Sequence, residues 1–235
     1  RGLLMPGPAR IDRGQGVGGE GIVGRGTHQR GPDAAQFFRA RMDVDQPVGG
    51  LFAGEQGVAL GRVLAEAGAD GEDQVGDLTA LLDHLKIDQL ALCGISIGGL
   101  IAQAFALAAP RRLTGLVLCD TAPKIGEPEL WQTRIDTVRG QGMAPVADAV
   151  MERWFSTGFR REQPEALAGW RNLFLRTDPQ GYAGGCATLR DTDLRAQIGT
   201  ILLPTLVVAG EDDIATPIEL VRDCAKALPN SRFEV

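Results

Sequence analysis

The sequence predicts an α/β fold with a helical insertion. Two observations carry this: apolar strand-like runs alternate with amphipathic helical stretches from residue 72 onward, and a serine between glycines sits where one strand turns into a helix. That stretch runs Gln89-Leu-Ala-Leu-Cys-Gly94-Ile-Ser96-Ile-Gly98-Gly-Leu100, and an apolar helix follows as far as Ala109, before Pro110. It is a G-x-S-x-G nucleophile elbow. A serine at so sharp a corner takes strained backbone angles, and the expectation is that Gly94 and Gly98 leave the room that larger neighbours would fill. The helix start then aims its N–H groups, that of Ile97 first, at a nascent oxyanion. Ser96 is the candidate nucleophile and Ile97 the candidate oxyanion donor.

Ahead of the elbow, apolar residues at 75, 78, 81, 82 and 85 mark one face of a helix over 72–85. After it, Leu113 to Cys119 reads as a second strand, and Ile201 to Ala209 as a third. Between these, residues 126–195 change to helical faces at Val146, Val150, Met151, Trp154 and Phe155, and again at Leu167, Trp170, Leu173 and Phe174. Pro217 starts a further amphipathic helix, and Arg232 to Val235 has the alternation of an opening strand, so that the sheet is expected to continue beyond the last residue. The organisation expected is an atypical segment over 1–71, core over 72–125, helical cap over 126–195 and core again over 196–235.

Residues 1–71 carry 17 of the 32 glycines and neither period-2 nor helical patterning. They read as a disordered extension or as a stretch translated out of frame, and the early strands of a larger sheet are not recognisable there. The formal charge of -6 excludes the basic surface that nucleic acid needs, and no run reaches the roughly 18 apolar residues of a membrane span. Cys93, Cys119, Cys186 and Cys224 are widely spaced, with no metal-ligand pattern, and read as reduced thiols of a cytoplasmic protein; Cys93 and Cys119 are expected to pack inside strand ends. The dinucleotide fingerprint fails on glycine spacing at Gly94 to Gly99.

A serine nucleophile of this kind needs an acid and a base in the order Ser, Asp, His. Asp213 lies just past the third strand in a Gly-x-x-Asp-x-x-x-Pro loop, with Asp212 as its neighbouring competitor and Asp120, at the end of the second strand, as a backup acid. The two histidines, His28 and His84, both precede the elbow, and His84 reads as structural; the base is expected beyond Val235.

Cys93 to Gly99 and Asp120-Thr-Ala-Pro-Lys-Ile-Gly126, with Trp131-Gln-Thr-Arg134-Ile135, Arg153-Trp154-Phe155, Thr177 to Tyr182 and Arg190 to Arg195, resemble the α/β-hydrolase superfamily and, within it, the 3-oxoadipate enol-lactonase family. The resemblance covers about residues 72–235. It implies an α/β-hydrolase fold with a helical cap and hydrolysis of an enol-lactone through a serine acyl-enzyme in aromatic catabolism. Ser96 would be the nucleophile, Asp213 the triad acid, and neither cofactor nor metal would be needed. The small lactone carries a carboxylate, so a cap arginine would clamp it, Arg134 before Arg190, while Trp131 and Trp154 would wall the pocket. Another cap-bearing esterase or lactonase, or an inactive hydrolase-like protein, is the alternative.

Overall fold

The computed structural model describes residues 71–235. His28 and all of the stretch 1–71 except Gly71 lie outside the described residues. Among the described residues there are eight α-helices and four strands.

Helix α1, Gly71–His84, buries Leu78 and Leu82 against the sheet. Leu85, expected on its apolar face, lies past its end and is 49% exposed. The reason is the helix terminus: Lys86 takes a positive φ of 56°, its N–H donates to the Asp83 carbonyl and that of Ile87 to Leu82, a left-handed cap that turns the chain toward the first strand. Strand β1, Leu90–Ile95, leads through Ser96 into helix α2, Ile97–Ala108, which stops before Pro110. The centre of α2 is almost wholly apolar and buried, Phe105 completely, a side chain whose burial contributes about 1.5–3 kcal/mol. Strand β2 spans Leu113–Cys119, as its sequence predicts.

Five helices separate β2 from β3: α3 Pro128–Gln141, α4 Ala144–Trp154, α5 Thr157–Glu162, α6 Pro164–Leu175 and α7 Pro179–Asp191. Pro128, Pro164 and Pro179 open three of them, where a missing N–H costs no helical bond. Ser156 accepts from the Phe159 N–H and Asp178 from the Gly181 N–H, capping α5 and α7. The insertion has its own core, with Ile135, Val138, Ala147, Val150, Phe174 and Ala183 at its centre. The apolar faces expected of α4 and α6 divide: Val150, Met151 and Phe174 are buried, whereas Trp154, Trp170 and Leu173 are more than half exposed.

Strand β3 is Thr205–Val208, shorter than the run from Ile201 suggests, because Pro204 has no N–H to pair and the chain reaches it from a 3-10 turn at Ile198–Thr200. Pro217 caps helix α8, Ile218–Ala227, and strand β4 is Ser231–Glu234. The sheet is parallel throughout in the order β1-β2-β3-β4. Helices α1, α2 and α8 cover one face with Leu78, Phe105, Leu116, Leu118, Val207 and Val221 in contact. Cys93 departs from its expected packing role: it is exposed and Cys119 is only half-buried. Strand side chains alternate, and the face of β1 that packs on the core carries Leu90 and Leu92, so Cys93 points the other way with Ile95, itself 63% exposed.

Candidate active site

The corner between β1 and α2 carries the strain that its sequence predicts. Ser96 sits at φ 53°, ψ -121°, a conformation that a non-glycine residue adopts only when its surroundings enforce it. The Ser96 N–H donates to the Cys119 carbonyl at 3.0 Å, and the Ser96 carbonyl accepts from Gly99 N–H, Leu100 N–H and the Thr121 hydroxyl at 3.0, 3.1 and 2.7 Å. A Cβ at Gly94 would fall 2.3 Å from the Gly98 carbonyl oxygen, and one at Gly99 would fall 2.5 Å from the Thr121 side chain. The second glycine that the corner needs is therefore Gly99; at Gly98, the position expected from the motif, a Cβ would meet nothing within 4 Å. Ser96 itself is half-buried. Ile97 opens α2, so its N–H has no intrahelical acceptor and stands at the positive end of the helix.

Parallel pairing brings the carboxyl ends of β1, β2 and β3 to one sheet edge, with Ser96 after the first, Asp120 after the second and the 210–217 loop after the third. In that loop Asp213 is half-buried and fully engaged: Oδ1 accepts from the Ala215 and Thr216 N–H groups at 2.6 and 3.1 Å, and Oδ2 from the Thr216 hydroxyl at 2.7 Å. Asp212 is exposed, which separates the two competitors. Asp120, with a positive φ of 44°, accepts from the Gly210 N–H at 2.7 Å. Burial pushes the Asp120 carboxyl above the usual carboxylate range, and the negative charge of neighbouring Asp213 adds to this against the Gly210 bond.

His84 is the single histidine among the described residues. It is exposed in the last turn of α1, from which a short link enters β1, so it lies toward the amino end of that strand and away from the Ser96 corner. Residues 71–235 therefore bring Ser96 and two carboxyls to one edge without an imidazole. Among the described residues no group of three or more His, Cys, Asp or Glu side chains could hold a metal, and no helix is long and apolar enough to cross a membrane.

Helix α7 lies over the elbow, close enough that a Cβ at Gly185 would be 3.7 Å from Ile97 Cδ1. One turn earlier on α7, the Tyr182 hydroxyl accepts from Arg134 at 3.4 Å, and the Arg134 guanidinium stands 5.3 Å from the centre of the Trp131 ring. Arg134 is half-buried and has no acidic partner among the described residues. Trp131 is buried and donates from Nε1 to the Ile125 carbonyl at 2.6 Å, so it supports the arginine from inside the cap. Trp154 is 57% exposed and packs edge-on against Phe174. Arg190 is held by Asp191 and by Gln132 Oε1 at 2.5 Å.

A cleft of about 320 Å³ opens between the cap and the acid loop, lined by Glu152, Phe155, Ser156, Thr157, Arg160, Glu211, Asp212, Asp213 and Ile214. Sequence reasoning assigned no part to Tyr182, Thr121 or Arg160. All three are defined only by tertiary contacts.

Residues 66–235 match the family model described as serine aminopeptidase, S33. The chain is 39% identical over 164 residues to 3-oxoadipate enol-lactonase 2 of Acinetobacter baylyi, covering 69% of this chain and 61% of that one. It is 31% identical over 169 residues to a pimeloyl-[acyl-carrier protein] methyl ester esterase of Chromobacterium violaceum, covering 68% and 64%. Among solved structures it is similar to the enol-lactonase from Burkholderia xenovorans LB400, with a TM-score of 0.68 at 38% identity, covering 70% of this chain and 63% of that one. The chain thus spans about three fifths of the length of the enol-lactonases it matches.

Proposed function

The chain belongs to the α/β-hydrolase family, in its enol-lactonase and esterase branch, and from that premise we propose that the protein hydrolyses 3-oxoadipate enol-lactone to 3-oxoadipate. One observation carries the chemistry: Ser96 is held at a strained corner by the Cys119 carbonyl and the Thr121 hydroxyl, beside the N–H of Ile97 at the start of α2. In this reading the Ser96 hydroxyl attacks the lactone carbonyl while the developing oxyanion takes the Ile97 N–H. The ring C–O bond then breaks, the enol oxygen leaves with a proton, and water releases the acyl group from Ser96. Asp213, whose two oxygens are fixed by Ala215 and Thr216, would orient and charge-stabilise the base. That base is a group which residues 71–235 do not contain.

Arg134, which has no acidic partner among the described residues and is supported by Trp131 and Tyr182, would take the substrate carboxylate. A second reading, hydrolysis of an uncharged ester, is favoured by the cleft between cap and acid loop, where Glu152, Glu211, Asp212 and Asp213 face one cation, Arg160. Assaying the full-length protein against the enol-lactone and against a neutral acyl methyl ester separates the two. Faster turnover of the lactone supports the first reading, and turnover of the ester alone supports the second.

A further inference from the structure

We propose that Lys124 is a positioning residue, a clasp that joins the two connections between cap and core and so fixes helix α7 over the nucleophile. Its Nζ donates to three carbonyls at the far end of the cap, those of Arg190 at 2.7 Å, Thr192 at 3.1 Å and Leu189 at 3.4 Å. An ammonium has three protons, and here each meets an acceptor. The acceptors belong to the last turn of α7 and its cap residue, carbonyls left without intrahelical donors at the negative end of the helix dipole. Beside Lys124, the Leu194 N–H donates to the Pro123 carbonyl at 2.8 Å. The segment entering the cap, Pro123 to Lys124, is thus bonded to the segment leaving it, Leu189 to Leu194.

The charge pattern fits the same role. Lys124 helps to hold Asp191 and Asp193 below the usual carboxylate range, after the larger effects of Arg190 on the first and Arg195 on the second. The ammonium is half-buried, so its carbonyl bonds form in a partly dry place, where charge-assisted bonds are stronger than at an open surface. Helix α7 also packs Ala183, Cys186 and Ala187 in one buried cluster with Leu100 of α2, and a side-chain hydrogen bond from Gln74 Nε2 to Thr188 Oγ1 at 2.8 Å again lies near its carboxyl end. Toward the amino end lie Tyr182, which meets Arg134 and packs edge-on against Phe174, and Gly185, which approaches Ile97. Releasing the clasp would let α7 tilt away from the elbow while the sheet and α2 stay packed.

The consequence for turnover rests on the hydrolase reading; the mechanical claim does not. The test measures amide exchange and lactone kinetics for the full-length protein and for Lys124→Met and Lys124→Arg. In K124M, exchange in α7 is expected to rise about tenfold while amides of α2 keep their protection, the size expected from losing hydrogen bonds to a charged group. KM is expected to rise about tenfold with kcat within about twofold. In K124R, whose guanidinium also donates several bonds, both return toward wild type. Unchanged α7 exchange in K124M overturns the proposal, and so does an equal rise at every amide, which would mark Lys124 as a general stabiliser. If the wild type turns over no lactone, the functional reading fails and the exchange pattern alone decides the clasp.

Discussion

The Thr121 hydroxyl donates to the carbonyl of Ser96 at 2.7 Å, and the same side chain occupies the place where Gly99 would carry a Cβ. The strained serine is therefore locked by a residue of the neighbouring strand end, with the glycine as the condition for that lock. Gly94→Ala and Gly99→Ala both force atoms below 3.0 Å, and each is expected to lower Tm by roughly 4–8 °C. Gly98→Ala meets open space inside a helix and leaves Tm unchanged or slightly raised. Thermal melts of the three variants check this ordering.

Asp120→Asn tests the carboxyl pair at the sheet edge. Asn keeps the acceptor for the Gly210 N–H and tolerates the positive φ of 44°. Because the folded-state pKa of Asp120 is raised, the native protein binds more protons than the unfolded chain between the ordinary and the raised value. Its stability cost is therefore present above the folded pKa and disappears as pH falls through it. D120N is expected to melt above wild type at pH 7–8 and to converge with it as pH falls to the ordinary carboxylate range.

Cys93 is expected to be the reactive thiol. The neighbouring Cys119 thiol lowers the exposed Cys93 thiol below its ordinary value, while desolvation raises Cys186 to about 11 and Cys224 to about 12. The thiolate is the nucleophile, so alkylation of Cys93 should persist to lower pH than that of an ordinary thiol. Peptide mapping after brief iodoacetamide treatment at neutral pH should find Cys93 modified and Cys186 and Cys224 free.

Arg134→Met separates substrate charge from chemistry. Loss of a charge-assisted bond to the lactone carboxylate is expected to raise KM roughly 10–100-fold with little change in kcat, leaving any neutral ester unaffected. Steady-state kinetics on both substrates provide the check.

The strand, turn and helix around Ser96 were legible because local rules act together there: an apolar run, a serine between glycines and an uninterrupted helix. The bounds of β2 and a loop at Asp213 after the third strand were legible for similar local reasons, whereas the bonds that fix its carboxyl were not. The identity of the second necessary glycine was not, because it depends on Thr121, which reaches the corner from another strand. Nor was the link from Lys124 to Thr192, which only tertiary structure brings together across the whole cap. Cys93 looked like a packing residue because its strand is apolar on both sides, and only the placement of α1 and α2 decides which side is covered.

The most direct test of the account is the rate of 3-oxoadipate enol-lactone hydrolysis by the full-length protein and by Ser96→Ala. The account predicts measurable turnover by wild type and a fall of roughly 10⁴-fold or more in the variant, with the fold intact by its melting curve. Equal turnover by S96A and wild type would contradict it.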